Sequence, residues 1–146
     1  MSQIDTRMLT IEDYNAIIKL WKLAGLPIKL KGRESKENMK KQMEAFPKFF
    51  IGAFHRKKLI GVVIGSYDGR MKGWINRLSV KPEYRRTGIA KRLIDLLETV
   101  LERQGAAVLC ALIESPNEES LSLFQRMGYI LHDDILYVSK RRSSEV

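Results

Sequence analysis

The stretch from Trp74 to Gln104 constrains this chain more than any other, because it reads as a strand, a short basic turn and a long amphipathic helix in immediate succession. Trp74-Ile75-Asn76-Arg77-Leu78-Ser79-Val80 is rich in β-branched and large apolar residues, and Lys81-Pro82-Glu83 ends the ladder because proline has no N–H to donate. Ile89, Leu93, Leu96, Leu97, Val100 and Leu101 then recur at helical spacing up to Gly105, a C-terminal stop. Between them lies Arg85-Arg86-Thr87-Gly88-Ile89-Ala90. A helix's first turn presents N–H groups without intrahelical partners, and the macrodipole adds partial positive charge there. Gly88 and Ala90 remove bulk where a ligand would approach the main chain, and two arginines add charge beside it. The expected ligand is a pyrophosphate. Neither G-x-G-x-x-G nor G-x-x-x-x-G-K-[ST] is present, so the two commoner phosphate loops are excluded.

Composition bounds the rest. A length of 146 residues fits one domain over 1–146, with 45% apolar and 29% charged residues as in an ordinary soluble protein. No run approaches the roughly 18 apolar residues of a membrane span. The N-terminus lacks a basic segment followed by an apolar one, so a cytoplasmic protein is expected. Cys110, the single cysteine, lies in an apolar run and reads as a core residue; with only His55 and His132 elsewhere, no metal set is recognisable. The formal charge is +9, from 26 basic and 17 acidic residues. The cations fall in short groups in different segments without interleaved aromatics, so a nucleic-acid-binding module would rest on charge alone.

Read in order, Thr6–Leu9 suggests a first strand, and Thr10-Ile11-Glu12-Asp13 has the form of a capping box. Tyr14, Ile17, Ile18 and Trp21 make one helical stripe ending near Gly25-Leu26-Pro27. Ser35 is placed to cap a second helix with Met39, Met43 and Phe46 on one face, stopped by Pro47. Phe49–Phe54 and Leu59–Tyr67 read as a hairpin, and Asp68-Gly69 turns the chain into Trp74–Val80. Val108–Ile113 reads as a fully buried fifth strand, broken by Ser115-Pro116-Asn117. Glu118–Met127 reads as a helix closed by Gly128, and Tyr129–Leu131 with Ile135–Ser139 as a final strand pair.

The turn at 85–90 fits [QR]-x-x-G-x-[GA] between strand and helix, and so resembles the acetyl-CoA loop of the GNAT superfamily of N-acetyltransferases. A second landmark agrees: Asn117 follows the fifth strand, and Phe124-Gln125-Arg126-Met127-Gly128-Tyr129 resembles the family's Tyr-x-x-x-Gly-[FY]. The order β-α-α-β-β-β-α-β-α-β-β is also that of the family, covering nearly the whole chain and resembling its small stand-alone bacterial and archaeal members. The resemblance implies an α/β (α+β) fold with a mixed, mostly antiparallel sheet of about six or seven strands and about four helices. It also implies acetyl transfer to a primary amine by direct attack in a ternary complex. Backbone groups of Leu78, Ser79 and Val80 would pair with the pantetheine arm, and Arg85, Arg86, Thr87, Gly88, Ile89, Ala90 and Lys91 would hold the pyrophosphate. Asn117 and Ser120 would border the arm, Phe124 would lie beside it, and Arg126 would approach the ribose phosphate. Asn117 reads equally as the N-cap of the last helix, and the two roles are compatible.

The catalytic groups depart from the family's pattern. Phe124 stands where many relatives carry a tyrosine acid, while Leu112 and Trp74 stand where different branches carry a glutamate base. The backbone N–H of Leu78 or Val80 is the expected oxyanion donor by resemblance, Leu78 being the one chosen. Glu114, two residues from Leu112, is the nearest acidic candidate and also an ordinary strand-end residue. Tyr137 offers a hydroxyl and also reads as a sheet-edge tyrosine. The acceptor, whether a small molecule, a protein N-terminus or a lysine, is not indicated, and a homodimer is one assembly left open. A protein that binds acyl-CoA without turnover is the competing class, since it needs neither the tyrosine nor the glutamate.

Overall fold

The computed structural model describes residues 3–146, and in them one sheet runs in the order β1 (Ile4–Met8), β2 (Phe50–His55), β3 (Lys58–Tyr67), β4 (Lys72–Val80), β5 (Val108–Ala111). The first four strands are antiparallel neighbours and β5 joins β4 in parallel. Helices α1 (Tyr14–Leu23) and α2 (Lys36–Ala45) lie between β1 and β2, α3 (Ile89–Gln104) between β4 and β5, and α4 (Glu118–Arg126) follows β5. The entry to α1 shows why local sequence sufficed. Thr10 N–H donates to the Asp13 carboxylate at 2.9 Å, and Arg7 forks the same group with two bonds of 2.9 Å. Those bonds, Arg7's first, hold Asp13 below the usual carboxylate range. The β2–β3 hairpin turns through Arg56 and Lys57, both at positive φ as a two-residue type I′ turn requires.

Three glycines seat the central helix. A Cβ on Gly61 would lie 3.0 Å from Leu93, one on Gly65 2.7 Å from Leu97, and one on Gly73 3.0 Å from Leu101. Leu93, Leu97 and Leu101 are spaced four residues apart along α3 and are fully buried. Missing side chains on β3 and β4 thus form a groove filled by one ridge of the helix, which brings backbone layers close and fixes where α3 begins.

Strand β4 carries a bulge. Val62 pairs with Ser79 and Ile64 with Asn76, so Arg77 and Leu78 together oppose Val63. Arg77 sits at φ 52, a left-handed conformation that costs a non-glycine residue about 1–3 kcal/mol. Its side chain supplies the compensation. The guanidinium donates to Pro27 O at 2.6 Å, lies 3.3 Å from Glu34 Oε1 and covers the Trp21 ring at 4.6 Å. Glu34 is buried and also accepts from Lys29 N–H at 2.8 Å, while its own carbonyl accepts from the Tyr14 hydroxyl at 2.6 Å. The α1–α2 loop and the bulge therefore lock one another. Desolvation lowers the Arg77 pKa from its ordinary value, opposed by Glu34 and, more weakly, Glu114.

Four expectations are corrected. Tyr129–Leu131 and Ile135–Ser139 form no strand, because no other segment among the described residues pairs with them, and residues 130–138 stay exposed. Likewise β5 is not fully buried: it is a four-residue edge strand with Val108 exposed, and Leu112 just beyond it is exposed too. Cys110 is accordingly half-buried rather than a sealed core residue, with burial pushing its thiol pKa up. Phe46, expected on the buried face of α2, instead stacks on Phe49 at 5.7 Å outside the helix.

Gly65→Ala should lower stability by about 1–3 kcal/mol, since Leu97 must leave its rotamer or α3 must lift; an unchanged thermal midpoint would show that α3 is not seated there. Arg77→Met should cost about 3 kcal/mol by removing the closer of the two cations beside buried Glu34, leaving only Arg33 at 4.0 Å. Adding Glu34→Gln should then cost far less than in the parent. Strict additivity in denaturant unfolding would mean the two residues do not act as a lock.

Candidate active site at the parting of two strands

Strands β4 and β5 pair over only four residues, from Lys72 opposite Val108 to Ile75 opposite Ala111. Past Ile75 the bulge turns β4 while the chain after Ala111 leaves the sheet, so the strand edge of Asn76–Val80 that would face β5 has no partner strand. An extended ligand with amide groups could add to it as a strand does. Ser79 Oγ in this segment is buried and has no hydrogen-bond partner among the described residues.

The edge leads into the basic turn. Lys81 N–H donates to Ile60 O at 2.7 Å, and a single 3₁₀ turn, Pro82–Tyr84, follows. The Tyr84 hydroxyl lies 2.5 Å from His55 Nδ1, with the rings edge-on, which fixes the turn to the β2–β3 hairpin. Thr87 Oγ1 donates to Tyr84 O and Arg85 Nε to Val80 O at 3.3 Å. Arg86 and Gly88 take positive φ, 62 and 85, and Gly88 is the N-cap of α3. No side chain caps this helix and its first turn holds no acid, whereas α2 and α4 are capped by Ser35 and Asn117. The N–H groups of Ile89 and Ala90 are thus left for an anion. Lys91 divides its charge, bonding Asp95 at 2.8 Å. A Cβ at Gly88 would meet nothing within 4 Å, so φ rather than crowding within the protein demands glycine there.

On the sheet face away from α3, Ser66, Trp74, Asn76 and Leu112 line a cleft of about 420 Å³ with Ile135, Leu136 and Tyr137. Asn76 Nδ2 donates to Ser66 Oγ at 3.3 Å. The lining is largely apolar and contains no carboxylate.

The expected site residues divide accordingly. Leu78, Ser79 and Val80 lie on the parted edge, and Arg85–Lys91 form the turn and helix start. Asn117 Oδ1 accepts from Ser120 N–H at 3.2 Å, so its capping role is present and its carboxamide nitrogen is left for a ligand. Phe124 is buried edge-on against Tyr129 at 4.9 Å, and Arg126 donates to Ser122 Oγ at 2.7 Å. Tyr137 is in the cleft; Glu114 is not among its lining residues. The residue that sequence reasoning missed is Arg77, in the middle of β4, whose partner Glu34 lies far from it in sequence.

Comparison with known proteins bears on this arrangement. Residues 14–129 match the model of the acetyltransferase (GNAT) family. "Acetyltransferase SG1711" of Sodalis glossinidius (strain morsitans) is 27% identical over 138 residues, 94% of this chain and 95% of that one. Among solved structures, the PaiA N-acetyltransferase of Thermoplasma acidophilum in complex with coenzyme A superposes with TM-score 0.76 at 24% identity, covering 90% of this chain and 92% of that one. AAC(6')-Iy in complex with a bisubstrate analog, CoA-S-monomethyl-acetylneamine, gives 0.77 at 18% identity, covering 96% and 99%. At such identities the structural likeness is one of fold. With the family model spanning most of the chain, this protein belongs to the GNAT family of N-acetyltransferases.

Proposed function

We propose that this chain moves an acetyl group from acetyl-CoA to a primary amine by direct attack while both substrates are bound. The observation that carries this reading is the parting of β4 from β5 between an uncapped, basic helix start and an apolar cleft. Backbone groups of Leu78, Ser79 and Val80 would take the pantetheine amides. The turn from Arg85 to Lys91 would take the pyrophosphate, Arg126 the ribose phosphate, and Asn117 and Ser120 the side of the arm. Phe124 would supply an apolar wall.

Amide formation requires a neutral amine, a donor for the developing oxyanion and a proton for the leaving thiolate. The Leu78 N–H, at the bulge, is the donor assigned here. No carboxylate lines the cleft, so proton removal falls to water. The apolar lining assists, because burial disfavours an ammonium relative to the neutral amine. A thiol with a reference pKa near about 8.5 leaves as a fairly stable anion, so no side-chain acid at Phe124 is needed. Tyr137 is the one titratable side chain lining the cleft, and Glu114 lies outside that lining.

Calorimetry should show one-to-one binding of acetyl-CoA; no binding up to about 1 mM, a free energy of only about −4 kcal/mol, would remove the reading. Gly88→Glu should remain folded at a strain cost of about 1–2 kcal/mol and lose most of that affinity. Parent-like binding by this variant would place the phosphates elsewhere. With an accepted amine, kcat/KM should rise about tenfold per pH unit toward the amine's own pKa of about 10.4. A plateau well below that value, shifting with Glu114→Gln or Tyr137→Phe, would reveal a side-chain base.

A further inference from the structure

The cleft beside the parted strands has a lining that selects among amines. Ser66, Trp74, Asn76, Leu112 and Tyr137 contribute to it, and the surface is largely apolar and free of carboxylates. Its volume of about 420 Å³ suits a small molecule. The two acids whose charge is felt at Arg77 do not serve it. Glu34 is buried, 3.3 Å from that guanidinium and accepting from the Lys29 N–H at 2.8 Å, and Glu114 lies outside the lining.

A polar atom in this lining is held in place and left without a partner. Asn76 Nδ2 donates to Ser66 Oγ at 3.3 Å, which commits one end of the carboxamide, while Oδ1 stays accessible and receives no hydrogen bond among the described residues. Asn76 is also the first residue of β4 beyond its last pair with β5, Ile75 opposite Ala111. It stands two residues before Leu78, roughly 7 Å along a strand from the N–H assigned to the oxyanion. We infer that Asn76 Oδ1 receives the acceptor amine, and that this amine is a lone primary amine on an uncharged, apolar body, an inference that rests on the acetyl-transfer reading above.

The chemistry favours an amide oxygen in this position. A neutral amine that donates one N–H to Oδ1 keeps its lone pair for the acetyl carbonyl. The C–N bond forms as the C–S bond breaks, the surplus proton on nitrogen passes to water, and the thiolate is protonated from solvent. A carboxylate would instead favour the ammonium, whose lone pair is already spent on a proton. Polyamines and aminoglycosides bring further ammonium groups, which would enter an apolar cleft with no carboxylate to meet them, in a chain of net charge +9. An aromatic or aliphatic body is instead buried against Trp74, Leu112 and Tyr137.

Thiol release from acetyl-CoA by the full chain tests this, with phenethylamine, spermidine, kanamycin and a hexapeptide bearing a free N-terminus offered in turn. kcat/KM for phenethylamine should exceed that for each of the others at least about tenfold, because only its body is uncharged. Asn76→Ala should lower that value about tenfold, as loss of one hydrogen bond in a desolvated cleft does, while calorimetry shows acetyl-CoA affinity unchanged. Asn76→Asp, of nearly the same shape, should shift the ratio about tenfold toward spermidine by offering an ammonium a carboxylate. Preferred turnover of spermidine, kanamycin or the peptide by the parent overturns the proposal, as does an Asn76→Ala protein that uses phenethylamine as the parent does. Loss of acetyl-CoA affinity in both variants overturns it too, since Asn76 would then belong to the cofactor edge. Acetyl-CoA bound without thiol release for any amine removes the acetyl-transfer reading itself, whereas release confined to the polycations removes this inference alone.

Discussion

One strained residue, Arg77 at φ 52 in the middle of a strand, underlies the geometry of the whole site. The bulge it creates parts β4 from β5, and that parting opens a main-chain edge toward an extended ligand. Such a conformation persists only where surroundings over-determine it. Here they do so through the Glu34 carboxylate, the Pro27 carbonyl and the Trp21 ring, all brought by the first helix and the loop behind it. The first helix and the loop behind it therefore also hold the bulge in place. Stability and site geometry share one network.

The second requirement is an exposed helix start at the end of that edge. The glycine groove under Leu93, Leu97 and Leu101 sets the position of α3, and the His55–Tyr84 contact holds the turn leading into it. An uncapped helix end beside two arginines is electrostatically unfavourable without an anion, and that is a property suited to binding one. Capping by Ser35 and Asn117 at α2 and α4 shows that the fold supplies caps where no anion is proposed.

The chemistry is correspondingly spare. Phe124 is buried against Tyr129, and Leu112 and Trp74 line the cleft, so the positions where relatives were expected to carry an acid or a base hold side chains that cannot titrate. Burial with the Glu98 hydrogen bond pushes the Tyr129 hydroxyl far above its ordinary value, so it is no substitute acid.

Much of this was determined by the sequence alone, wherever the governing interactions are local. The capping box at Thr10, the stripes of α1 and α3, the breaks at Pro47, Pro82 and Gly105 and the basic turn at Arg85–Ala90 depend on residues a few positions apart, and they appear where periodicity puts them. Tertiary structure decided the rest. Whether Val108–Ala111 is buried or an edge depends on what packs beside it, and whether Ile135–Val138 is a strand depends on a pairing partner, which it lacks among the described residues. The role of Arg77 was equally out of reach, since an arginine in a strand gives no sign that a glutamate 43 positions earlier will be folded against it. Propensity fixes which conformation a segment prefers, but only packing fixes which of its edges remain unpaired, and in this protein the unpaired edge is the proposed site.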